Sequence, residues 1–230
     1  MLIAEDLLLL AYDDTTGKPD AWLTHLEHRV AGALLLELAL AGRVDVAGPG
    51  TTTSAGSAAK PGTVVVLDPS PTGHPVLDGA LDVVGRQPRK PENLVAPLAK
   101  GVTEALLSGL ADRRILRRQE GRFLGIFPTT SWPATDSSHE TALRAECADV
   151  LLGHRAPSPT TAALLSLTHG TSLVKTLVPA EHRKQAEARV KELSEGSWAN
   201  TAVTRSVEAV NAAVMVAVML PLTTATIISS

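Results

Sequence analysis

The sequence predicts a mainly α-helical single domain, a helical bundle with a few short β-strands and one β-hairpin near residues 113–127. Helical hydrophobic patterns cover more than half of the chain, whereas period-two strand patterns are few and short. One stretch, Val30 to Ala41, is apolar on every side except at Gly32 and Glu37, which makes it a central helix and not a surface one. No internal repeat and no linker divides residues 1–230, so a single domain is expected. With 230 residues, 44% of them hydrophobic, the chain has enough apolar material to build that core.

Taken in order, residues 3–12 and 22–42 read as helices, the second entered through the turn-forming run Asp13 to Asp20 with its Gly17 and Pro19. Arg43–Ala47 and Thr63–Leu67 read as short strands. Gly48–Gly62 between them is rich in Gly, Ser, Thr and Ala, and is expected to be a mobile loop. Turn chemistry at Asp68–Gly73 leads into a helix over 76–84, and a further helix is expected over 98–112. Arg114–Arg118, a Glu120-Gly121 turn and Arg122–Phe127 read as a hairpin. Apolar side chains on both faces of its second strand mean either burial on two sides or an exposed apolar tip. Helical patterns return at 138–152, 160–177, 181–194 and 202–219.

Composition narrows the functional classes. A formal net charge of −3 provides no global positive field for a nucleic-acid backbone. A single cysteine, Cys147, excludes an intrachain disulfide and a cysteine-rich zinc site. The N-terminus carries Glu5 and Asp6 where a secretory signal needs positive charge, so secretion is not expected. Residues 209–228 carry no charge, but Asn211, Pro221 and several threonines dilute the run; it reads as a buried helix and not as a membrane span.

Catalytic motifs are weak. No phosphate-binding Gly-Lys-Ser/Thr loop occurs, and His169-Gly170-Thr171-Ser172 lacks the glycine elbow that holds a strained nucleophile. His25 and His28 lie one helical turn apart but lack the order of a metalloprotease helix, so no metal and no cofactor is expected. Glu37, inside an apolar helix, needs a partner to offset desolvation; Arg43 or an arginine of another helix is the expected one, with a role in a site as the alternative. Arg113, Arg114, Arg117, Arg118 and Arg122 form a basic cluster that is either a set of solvated element ends or a group of donors for phosphate or an anionic lipid surface.

Several stretches together resemble the Golgi phosphoprotein 3 family: Leu2–Leu10 with Glu5-Asp6, Glu37–Arg43, Pro71 to Leu81, the hairpin ending Phe123-Leu124-Gly125, Ala162–His169 and Lys184–Leu193. The resemblance implies a peripheral membrane protein without catalytic activity, which binds phosphatidylinositol 4-phosphate or a similar anionic phosphoinositide headgroup in a shallow basic pocket. It also implies a protruding hydrophobic hairpin used for self-association and membrane contact, and a membrane-protein client. On the positions that match, Trp22 falls on the family's tryptophan and Lys100 on one of its arginines. Ala31 and Thr103 stand where the other two arginines would be, and Arg29 is the nearby residue that compensates. The hairpin contact would use Arg117, Arg118, Arg122, Phe123, Leu124, Ile126 and Phe127. Arginine outnumbers lysine two to one in an alanine-rich chain, which points to a high-GC bacterial source. The expected location is cytoplasmic, at the membrane surface. The alternative is a cytosolic oligomeric interaction or regulatory module that keeps the fold and has lost phosphoinositide recognition, as Ala31 and Thr103 suggest.

Overall fold

A leucine-rich first helix, α1 (Ile3–Ala11), is buried at every position, including Glu5 and Asp6. The computed structural model describes residues 1–19, 25–54, 56–123, 126–196 and 201–219. Helix α2 (Leu26–Leu40) runs beside α1 and forms the axis of the core, as its apolar composition predicts. Around it pack α3 (Pro75–Gly85), α4 (Glu92–Ala99), α5 (Val102–Asp112), α7 (Pro159–Ser166) and α10 (Thr201–Met219). Helix α6 (Ser138–Leu152) lies against α1, α8 (Val174–Leu177) against α6, and α9 (Arg183–Ser194) against α6 and α7. Strands β1 (Val44–Val46) and β2 (Val64–Val66) pair antiparallel with Asp45 opposite Val65. The result is mainly α, with two small two-stranded sheets among the described residues.

Local chemistry explains the element ends. Pro75 and Pro159 open α3 and α7, where a missing N–H costs nothing. The His74 ring accepts from the Val76 amide, and the Ser158 hydroxyl accepts from the Thr161 amide at 3.0 Å. Three expected helix limits change. The described part of the second helix begins at Leu26. The helix expected over 98–112 begins after a break at Lys100-Gly101, where Gly101 takes φ +71°; α4 precedes the break. The helix expected over 160–177 is interrupted between α7 and α8. The loop at 48–62 is pinned by its own backbone, with a bridge between Thr52 and Ala58 and a Ser54 amide donating to the Val66 carbonyl at 3.1 Å.

Helix α10 buries Val207, Val210, Ala213 and Val214 against the core while Val216 is exposed, so the charge-free run is an amphipathic core helix as far as Met219. The remainder of that run, and Trp22, lie outside the described residues. Among the described residues no single helix is long and apolar enough to cross a membrane; α4 and α5 would suffice together but bend by 51° at their junction.

Buried and half-buried carboxylates tie the helices together. Glu37 accepts from the Ile3 amide at 2.7 Å, holding the N-terminus of α1. This corrects the expected arginine partner: Arg43 instead pairs with Asp68 at 2.6 Å and donates to the Ser70 and Pro71 carbonyls. Glu5 accepts from the Leu2 amide and pairs with Arg113, and Asp6 meets the His139 ring at 2.7 Å. Burial pushes the Asp6 and Glu37 carboxyls up from their ordinary values. Glu140, 6% exposed, is pushed up to about 7 by burial and by a hydrogen bond with Asp14, against the opposing pull of Arg144 at 2.5 Å.

The raised Glu140 value fixes the sign of a pH effect. Between its ordinary 4.5 and about 7, the folded chain holds a proton there that the unfolded chain has released. Stability from this group is therefore full at low pH and is lost as pH rises toward 7. In urea unfolding at pH 5 and pH 8, Glu140→Gln is expected to reduce the wild-type loss by about 1–3 kcal/mol, because the amide needs no proton to donate to Asp14. An equal loss in both proteins would refute the assignment.

Candidate functional site

The hairpin is exposed along most of its described length. Strand β3 (Gln119–Phe123) pairs antiparallel with β4 (Phe127–Ser131), placing Phe123 opposite Phe127 and Arg122 opposite Pro128. The expected register is thus corrected: Glu120-Gly121 sits inside β3, which ends at Phe123 before β4 begins at Phe127. The physical reason lies at residues 115–117, which close onto the loop after β4 through a Leu116–Ala134 bridge and an Arg117 amide to Pro133 carbonyl bond of 2.9 Å. Leu116 is buried there, so these residues form the hairpin's root and not its first strand.

Of the two readings of the apolar strand, the exposed tip is the one observed. Ile126 and Phe127 are 75% and 59% exposed, and residues 117–122 are exposed as well. Leu124 lies outside the described residues, as does the Phe123 side chain. Arg118 pairs with Glu104 at 3.5 Å and Glu120 at 3.7 Å, and sits over the Trp132 ring at 5.6 Å. Arg117 and Arg122 make no ion pair among the described residues. The tip therefore sets exposed apolar side chains beside Arg122, with Arg117 at the hairpin's root.

A hollow of about 700 Å³ opens at the root of this hairpin, walled by Tyr12, Leu26, Thr103, Leu107 and Trp132. Thr103 lies in it, and Ala31 is fully buried. The charged groups lining the hollow among the described residues are Glu27 and Glu104, with Arg118 reaching its wall through Glu104 and Trp132. Lys100 is exposed and lines a neighbouring depression of about 550 Å³ between α3, α4 and α5, whereas Ala99 and Gly101 face the hollow.

Arg29 does not join either of them. It is 3% exposed, and its Nη1 donates to the Leu167 and His169 carbonyls, so it faces the α7–α8 turn. The structure thus separates Arg29 from Lys100, and the compensating role expected for Arg29 beside Ala31 is corrected: a helix residue two positions from Ala31 projects about 200° around the axis from it.

His25, Glu27 and His28 bring ligand atoms within 4.8 Å of one another at the start of α2, where His25 takes φ +58°. The two rings lie parallel, 5° apart in plane with centroids 5.5 Å apart. An enzyme site joining these histidines to Glu37 is excluded geometrically, since nine helical positions separate His28 from Glu37, about 13 Å along the axis.

Sequence reasoning missed Trp132, which is 3% exposed yet forms the floor that joins the hairpin root to the hollow. Its position between Ser131 and Pro133, directly after a strand, was the available signal. It also missed a groove of about 760 Å³ between the α7–α8 turn and α9 that carries Lys175, Lys184 and Lys191 beside Glu187.

The fold and this surface define a mainly α-helical domain that presents an exposed two-stranded hairpin beside a shallow hollow. Residues 3–210 match the family model described as Golgi phosphoprotein 3 (GPP34), and the chain belongs to that family. It is similar to vacuolar protein sorting-associated protein 74 of Eremothecium gossypii, with 25% identity over 166 residues. That match covers 66% of this chain but 49% of the relative, so the chain spans about half of the relative's length.

Proposed function

We propose that this chain is a non-catalytic peripheral membrane protein that docks on anionic lipid, with the hairpin as its main contact. The observation that carries the reading is the tip: Ile126 and Phe127 are exposed near Arg122, which has no ion-pair partner among the described residues, and the exposed Arg117 lies at the root of the same hairpin. Apolar insertion and electrostatic attraction are each weak alone and sufficient together for reversible attachment. Lys100 and Trp22 supply headgroup contacts beside the hollow, with a phosphoinositide-like headgroup as the ligand class and a membrane-protein client as a further partner. The location is the cytoplasmic face of a membrane.

Co-sedimentation with phosphatidylcholine vesicles containing increasing phosphatidylglycerol, or phosphatidylinositol 4-phosphate, tests this. The bound fraction is expected to rise with anionic content and fall with salt, and Lys100→Glu to weaken binding about thirtyfold, at about 1 kcal/mol for each of the two charge steps near the surface. A protein that stays in the supernatant with every anionic lipid would favour the second reading, a cytosolic oligomeric interaction module that has lost phosphoinositide recognition. Glu27 and Glu104 in the hollow are the specific observation on that side, because carboxylates repel a phosphorylated headgroup.

A further inference from the structure

Arg29 presents a problem that its structural role does not solve. Its Nη1 caps the end of α7 by donating to the Leu167 and His169 carbonyls, the second at 3.2 Å. The other edge of the same guanidinium is idle. Nε is buried with no hydrogen-bond partner, and Nη2 makes none among the described residues. No carboxylate among the described residues pairs with the group, although it is 3% exposed. A buried cation is ordinarily paired, and one left without a partner marks a place where a ligand supplies the missing charge.

Arg29 also lines a cavity of about 330 Å³ between α2, the end of α7 and α10, within the size range of small-molecule sites. Leu167, Val214 and Met215 make its walls largely apolar, and Ser166 and Asn211 add polar groups. Those two are bonded to each other, Oγ to Oδ1 at 3.3 Å, and Asn211 also donates to the Ser194 carbonyl at 3.1 Å, so the polar side of the cavity is already rigid. Glu195 and Glu208 complete the lining from exposed positions, and neither forms an ion pair with Arg29.

We infer that this cavity is a binding site for a small amphiphilic carboxylate, which accepts from Nη2 of Arg29 while its hydrocarbon body lies against Leu167, Val214 and Met215. Nη2 is the part of the guanidinium left for it, since Nε is sealed from solvent and Nη1 is taken by the two carbonyls; a charge-assisted bond to a carboxylate is the strong kind. A single guanidinium matches one negative charge. A phosphate dianion would carry a second, uncompensated charge past Glu195 and Glu208, so a carboxylate is the better match. The site is separate from the hairpin and the hollow, and it stands or falls independently of membrane docking.

Isothermal titration of the full chain with octanoate, octanol and inorganic phosphate tests the inference. Octanoate is expected to bind at one site, at least tenfold tighter than octanol or phosphate. Arg29→Met should weaken octanoate at least tenfold. Because that substitution also uncaps Leu167 and His169, it is paired with Ala212→Trp, which fills the exposed mouth without entering the core and should weaken octanoate to the same extent with an unchanged melting temperature. Absence of octanoate binding, equal binding of octanol or phosphate, or unchanged affinity in Ala212→Trp would each overturn the proposal.

Discussion

Gly17→Ala is expected to lower stability by about 3–5 kcal/mol, visible as a fall of about 10 °C in melting temperature by calorimetry. Two causes act at once. Gly17 takes φ +63°, a conformation that L side chains adopt only with strain. An added Cβ would also lie 2.1 Å from the Pro133 nitrogen and 2.3 Å from that of Trp132, atoms of the backbone that cannot rotate aside. The damage would spread, because this is where the turn after α1 holds the hairpin root: the Trp132 amide donates to the Gly17 carbonyl at 2.7 Å, and Ala134 to Asp14 at 2.9 Å. Gly109→Ala is the matched control. That glycine is inside α5 with no atom within 4 Å of its absent Cβ, and alanine there should stabilise by about 0.5–1 kcal/mol. A Gly17→Ala protein within 1 kcal/mol of wild type would contradict the packing described here.

The second large effect is expected at the hairpin tip. Ile126→Asp combined with Phe127→Asp should reduce the vesicle-bound fraction at least tenfold, since full burial of each side chain is worth about 1.5–3 kcal/mol and aspartate adds repulsion from anionic lipid. Folding should be nearly unaffected, within about 0.5 kcal/mol by urea unfolding, because both side chains already face solvent. Light scattering on the same variant separates the readings. Loss of vesicle binding at constant mass supports docking. A fall in mass with vesicle binding unchanged would assign the tip to self-association.

How far the sequence carries the argument depends on the kind of interaction. The central helix was readable from Val30 to Ala41 because burial on nearly all sides leaves a run that is apolar except at Gly32 and Glu37. The same logic recovered β1 and β2 and placed α10 in the core. It failed at the hairpin register, where Arg114–Arg118 has strand-like composition but Leu116 is drawn inward by contact with Ala134, a residue distant in the chain. Glu37 shows the same limit. Its need for a partner follows from its neighbours in sequence, but the partner is a backbone amide 34 residues away, which composition does not mark.

The candidate site divides in the same way. The apolar and basic residues of the hairpin were identifiable by type but their exposure was not, and the hollow was not either, because its walls come from α2, α5, β4 and the residues just after α1 and β4. Arg29 is the sharpest case: its charge and its place on α2 are sequence facts, yet its burial facing the α7–α8 turn follows only from packing. Hydrophobic periodicity alone determined that this chain is helical and which helix is central, since burial of an apolar face is a local property of the pattern. Only the tertiary structure decided which charges are paired, which are left idle, and which apolar groups remain in water, because each depends on residues that meet solely through the fold.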